Sequence, residues 1–138
     1  MSTATAYDWK DGDRTPSNPD EIITTLPNAG SVETGVFEFG KVQARVEAEI
    51  FAQQELTIAD GATFQIELFW DTDRDGSFTN SRVVNAFAPS GSSEVIPAGG
   101  SLGLFSPESD VELFCKVKYT ASGNLSGVSA KLDLYPIA

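Results

Sequence analysis

The sequence predicts an all-β protein: an antiparallel β-sandwich of about eight short strands over residues 31–138, behind an extended N-terminal arm over residues 1–30. Three observations predict it. Apolar and polar residues alternate with a period of two through most of the chain, and no segment carries a 3.6-residue period. Turn signals rich in Gly, Pro, Asp, Asn and Ser separate nearly all of the alternating runs. The length, 138 residues, suits a single domain. A domain of that size hides about two-thirds of the surface its unfolded chain would expose, enough for a core without metal or disulfide.

The arm comes first. Asp8 to Asp20 holds Gly12, Pro16 and Pro19 among Asp, Asn, Ser and Thr, with little apolar surface to offset the entropy of ordering. It reads as a solvated tail or, with the amphipathic aromatics Tyr7 and Trp9 as anchors, as an arm that orders on a partner. Ile22, Ile23 and Leu26 make a second apolar patch, a short edge strand or a docking peptide.

The strands follow in order. Val42, Ala44, Val46, Ala48 and Ile50 share one face while Gln43, Arg45, Glu47 and Glu49 share the other, which outweighs the helical leaning of Ala and Glu. Phe64, Ile66 and Leu68 alternate with Thr63, Gln65 and Glu67. Val111, Leu113, Cys115, Val117 and Tyr119 alternate with Glu112, Lys116 and Lys118, and Val128, Ala130, Leu132 and Leu134 with Ser129, Lys131 and Asp133. Shorter candidates are Gly35–Phe39, Glu55–Ile58, Arg82–Phe87, Glu94–Ile96 and Leu102–Phe105. Short strands at this spacing make a sandwich or a small barrel, and one polar and one apolar face per strand fits antiparallel sheets packed on each other.

Composition excludes several chemistries. The chain has no His, which removes Ser-His-Asp and Cys-His catalysis and histidine metal sites or pH switches. Its one cysteine, Cys115, excludes an intrachain disulfide and any CxxC motif, and its place on an apolar strand face reads as structural. The net charge of −11 argues against nucleic acid and against an anionic membrane surface, and it favours solubility. Apolar runs stop well short of the roughly 18–20 residues of a membrane span. The first residues lack the basic start and apolar run of a signal peptide, so the expectation is synthesis and retention in the cytoplasm. No carboxylate pair and no phosphate loop stands out, so no catalytic residues and no cofactor are expected.

Two features remain. Asp71-Thr72-Asp73-Arg74-Asp75-Gly76 begins like a calcium loop, with Asp71, Asp73 and Asp75 as candidate ligands. The position of the closing Glu is Arg82, however, and the flanking helices are missing. The preferred reading is an acidic strand connection in which the Asp side chains bond local amides and Gly76 supplies a positive φ. Phe69 and Trp70 point to opposite faces, and Phe114 sits on the nominally polar face of its strand. Aromatics outside a core are either partner contacts or covered by another part of the chain.

From Leu56 onward the layout resembles the head-decoration (capsid cement) proteins of tailed bacteriophages. The residues that carry the likeness are Tyr119-Thr120-Ala121-Ser122-Gly123 and Gly127-Val128-Ser129-Ala130, a long strand, a short turn and a closing strand, over roughly 80 residues. The resemblance implies a jelly-roll form of the sandwich. It also implies a virion structural protein, made in the host cytoplasm and placed on the outer capsid surface as a homotrimer. There it would bind the major capsid protein and bridge capsomers. Residues 1–30 depart from the family's pattern, and the contacts expected from the residues themselves are Tyr7, Trp9, Ile22 and Ile23 first, with Phe69, Trp70 and Phe114 as secondary ones. The alternative is a carbohydrate-binding β-sandwich using Trp9 and Trp70 as platforms, with a structural calcium at the Asp71–Asp75 loop.

Overall fold

The structure, a computed structural model, describes residues 22–38, 45–105 and 114–137. Eleven strands run in chain order: β1 Ile23–Thr25, β2 Asn28–Glu33, β3 Phe37–Glu38, β4 Arg45–Ala52, β5 Leu56–Ile58, β6 Phe64–Asp71, β7 Asn80–Phe87, β8 Glu94–Ile96, β9 Ser101–Phe105, β10 Phe114–Asn124 and β11 Ser129–Ile137. There is no α-helix among the described residues.

The period of two becomes two faces. Along β6, Phe64, Ile66 and Leu68 are buried while Gln65, Glu67 and Phe69 are half-buried on the other side. Along β10, Cys115, Val117, Tyr119 and Ala121 are buried, and Lys116 and Lys118 face the other way. One sheet has the order β1-β11-β4-β9 and the other β2-β10-β6-β7, with β3 also paired to β10; β5 and β8 form a separate ribbon. Every pairing is antiparallel. The core joins the two sheets and the ribbon, with Ala48, Ile50 and Leu132 from the first, Phe64, Val117 and Tyr119 from the second, and Leu56 and Ile58 from the ribbon. Phe64 lies between Phe87 and Tyr119, its ring centroid 5.8 and 6.3 Å from theirs. The predicted antiparallel, jelly-roll-like sandwich is thus the observed fold, and the chain passes directly from sheet to sheet at β1–β2, β3–β4, β9–β10 and β10–β11.

The sandwich takes in residues that the sequence reading placed in the arm. β1 pairs with β11 from Ile23↔Lys131 to Thr25↔Ser129, and Ile22 and Leu26 are 2% and 1% exposed. β2 has no alternation to announce it, since Asn28-Ala29-Gly30-Ser31-Val32-Glu33 has Val32 as its single branched apolar residue. It forms because the edge of β10 offers backbone partners, from Lys118↔Glu33 to Asn124↔Asn28. Thr34 then fills the gap before β3: its amide donates to the Val117 carbonyl (2.9 Å) and its Oγ1 accepts from the Val117 amide (3.0 Å). Ser122-Gly123-Asn124 has the composition of a turn but is the irregular end of β10, whose register shifts between Ala121 and Asn124. The reversal comes later, where the Val128 amide donates to the Leu125 carbonyl.

Candidate interaction surface

The outer face of the second sheet follows from its register. Lys118 lies opposite Glu33 on one side and Glu67 on the other, so charges alternate across three strands. In the next row Lys116 lies opposite Phe69, and in the next Phe114 lies opposite Asp71. Opposite charges in adjacent strands contribute a few tenths of a kcal/mol to about 1 kcal/mol each. Lys116 Nζ also pairs with Glu33 Oε1 at 3.2 Å.

The acidic loop after β6 folds back over this face. Asp71 Oδ1 accepts from the Asp73 amide at 3.0 Å and Asp71 Oδ2 from the Phe78 amide at 3.1 Å; Asp73 Oδ1 accepts from the Asp75 amide at 3.0 Å. These bonds, that to Asp73 first, hold the Asp71 carboxyl below the usual carboxylate range. The Asp71 and Asp73 carboxylates thus serve the loop's own backbone, as their spacing predicts. Among the described residues no group of three or more His, Cys, Asp or Glu is arranged to hold a metal ion. Gly76 has a role other than the expected positive φ. A Cβ there would collide with the Asp71 carboxylate, and the left-handed residue is Phe78, at φ 50°. That strained corner turns the Phe78 ring onto the sheet, 7% exposed, with Lys116 Nζ 5.0 Å from its centroid. Arg74 in the same loop lies 5.1 Å above Phe114.

The residues expected as contacts therefore sit in different settings. Phe114 is 9% exposed, covered by its own chain. Trp70 faces inward and is half-buried against the core; Phe69 faces outward, half-buried opposite Lys116. Ile22 is a core residue and offers no surface, whereas Ile23 beside it is 40% exposed. Tyr7 and Trp9 lie outside the described residues. Cys115 is fully buried, and burial pushes its thiol up to about 12, which leaves it unreactive at neutral pH.

Besides Ile23, three exposed apolar side chains lie outside the expected contacts. Val83 and Leu104 stand 49% and 52% open, and Val95 55%. Each sits in a strand pattern, where an aliphatic residue reads as core. Their exposure follows from the pairing: Val83 lies opposite Glu67 and Leu104 opposite Glu49, so both take the polar face.

No protein-family model and no curated protein matches the sequence. Among solved structures, the chain is similar to an infectious bursal disease virus (Gx strain) structure at 14% identity and TM-score 0.39, over 81% of this chain and 28% of that one. It is similar to a pentameric capsid protein from metagenomic phage sequences at 10% identity and TM-score 0.34, over 95% and 74% of the two chains. It is also similar to the carbohydrate-binding module CsCBM6-3 of Clostridium stercorarium, in complex with cellobiose, at 16% identity and TM-score 0.30, over 86% and 82%. All three TM-scores are below 0.5, and capsid and sugar-binding proteins stand side by side among these neighbours.

Proposed function

We propose that the chain is a structural protein of a bacteriophage virion, a decoration protein that binds the major capsid protein on the outside of the head and bridges capsomers as a homotrimer. Its work in this reading is binding, with no turnover and no cofactor. The observation that best supports it is the root of the N-terminal segment. Ile22 and Leu26 are sunk in the core, and β1 is locked in register to β11. Residues 1–21, with Tyr7 and Trp9, therefore depart from a fixed sheet edge, and a partner bound by that segment is tied to a rigid body. Several such ties per oligomer add by multivalency, so modest individual contacts give firm retention. The net charge of −11 keeps the protein from competing for the packaged nucleic acid.

The carbohydrate-binding reading asks Trp70 for an open platform, yet that ring is half-buried against the core. It asks the acidic loop for calcium ligands, yet Asp71 and Asp73 accept from loop amides.

The test is co-sedimentation of the full chain with DNA-filled heads stripped of decoration, beside a Tyr7→Ala/Trp9→Ala variant. The expected result is saturable binding that protects the heads from heat-induced DNA release, with loss of both in the variant. Heads that leave the native chain in the supernatant at all concentrations overturn the proposal.

A further inference from the structure

The outer face of the first sheet can be read row by row from its register. Ile23 of β1, Lys131 of β11, Phe51 of β4 and Ser101 of β9 stand side by side across all four strands. At the usual strand spacing the row spans about 14 Å. It ends at β9, which with β7 forms one edge of the sandwich. Phe51 faces outward, since Ile50 and Ala52 on either side of it are fully buried. Ile23 is exposed, and Phe51 and Lys131 are half-buried. Ile23, the Lys131 stem and the Phe51 ring thus make an apolar stripe. Polar rows flank it. Thr25 and Ser129 lie on one side, with Gln53 joined to Ser129 by its amide; Asp133 and Glu49 lie on the other.

At Phe51 the stripe opens into a hollow of about 400 Å³, lined by Phe51, Ala52, Gln53, Gly99, Lys131 and Asp133. Lys131 Nζ and Asp133 Oδ1 stand 3.6 Å apart in its wall. The turn at 97–100 closes one end. There the Gly99 amide donates to the Ala52 carbonyl (2.7 Å) and the Ala52 amide to the Gly100 carbonyl (2.9 Å). Gly99 takes a φ of 83° and has open space where a side chain would stand.

We propose that this hollow binds a neutral saccharide, at a site distinct from Trp9 and Trp70 and independent of capsid binding. A pyranose ring is apolar on its C–H face and polar around its rim, which matches an apolar stripe between polar rows. Its C–H groups settle on the negative face of an aromatic ring, here Phe51. The charges select a neutral ligand. The lining holds one ammonium and one carboxylate, paired with each other, so an anion would be repelled by Asp133 and a cation by Lys131. With the Gln53 amide these groups offer both donors and acceptors, and a sugar hydroxyl answers as either. The backbone excludes a peptide added as a strand. β4 is hydrogen-bonded to β11 and β9, and β11 to β1 and β4, so neither strand under the hollow has a free edge. The ligand is therefore read by side chains standing on a rigid sheet.

The test uses the full, nitrogen-labelled chain in solution without heads, followed by amide NMR. It is titrated with cellobiose, lactose and mannobiose, and with benzoate and benzamidine as flat charged rings. The expected result is that at least one disaccharide gives saturable shifts at millimolar concentration, centred on residues 51–53, 99–101 and 131–133. No saturable shift with any of the three, shifts centred elsewhere, or tighter binding of benzoate or benzamidine each overturn the proposal. Phe51→Ala should leave the circular dichroism unchanged and cut the affinity by about tenfold, the loss of roughly 1.4 kcal/mol. Asp133→Asn keeps the shape of a part-exposed side chain and should cut it by about the same factor, through the lost charged acceptor. An unchanged affinity in Asp133→Asn overturns the proposal even where Phe51→Ala fails to fold. Saccharide binding by a chain that does not bind heads would refute the capsid reading and leave this one standing, and the reverse result would refute this one alone.

Discussion

The outer face of the second sheet and the β7/β9 edge both carry apolar side chains outside the core, and the chain finishes them in opposite ways. On the sheet face, Phe114 and Phe78 are 9% and 7% exposed, because the loop after β6 folds back on the sheet, bringing Arg74 over the Phe114 ring and the Phe78 ring under Lys116 of β10. At the edge, Val83 and Leu104 remain about half open and nothing among the described residues covers them. A large aromatic on a polar strand face is thus a weak sign of a partner when a neighbouring loop can supply the cover. A pair of open aliphatics beside an unpaired strand is a better one, since exposed apolar surface left by a folded chain marks sites of association.

The comparison breaks first at Phe114. Phe114→Ala removes a nearly buried ring, and the expected cost is about 3 kcal/mol in chemical denaturation. Val83→Asp, at the open edge, should stay within about 0.5 kcal/mol. Equal losses would mean that the sheet face is no better covered than the edge. Tyr119→Phe comes next and sharpens the contrast with the core. The Tyr119 ring is fully buried between the sheets, its hydroxyl has no hydrogen-bond partner, and burial pushes its ionisation well above the ordinary tyrosine value. Removing an unsatisfied hydroxyl should raise stability by about 1 kcal/mol; a loss of that size would reveal a partner for the oxygen.

The smallest effect concerns the loop that makes the cover. Asp71 is held below its ordinary range by the Asp73 and Phe78 amides, so the stabilisation from its ionised form is complete above about pH 4 and fades as the pH falls through the lowered value. Asp71→Asn should remove that part of the acid dependence, read as a shallower fall in melting temperature below about pH 4. Lys116 should then lose its place over Phe78, seen as a rise in the salt-independent accessibility of the Phe78 ring by NMR. An Asp71→Asn variant with the native acid profile would show that the loop stands without this carboxylate.

Much of the fold was legible because burial on one face imposes a period of two. Ile50, Phe64, Ile66, Val117, Tyr119 and Leu132 all point inward where the alternation put them. β2 was not legible, since Asn28-Ala29-Gly30-Ser31 has no strand pattern and pairs only because β10 presents an open edge. The candidate site was half legible. That Phe69 and Trp70 face opposite ways follows from their adjacency, and the bonding of the Asp side chains to loop amides follows from their spacing. The cover on Phe114 does not, because Arg74 lies far along the chain from it and comes over the ring only through the pairing of β6 with β10.

The sequence by itself determined which strand faces turn inward, the absence of histidine chemistry and the isolation of the single thiol, since these depend on residue type and on local alternation alone. The tertiary structure decided which outward faces stay open. That depends on where a loop falls and which strand ends at a sheet edge, and both are set by contacts between residues distant in sequence. Ile22 illustrates it: by composition it belonged with Ile23 as a contact, and the β1–β11 register put one in the core and the other in solvent.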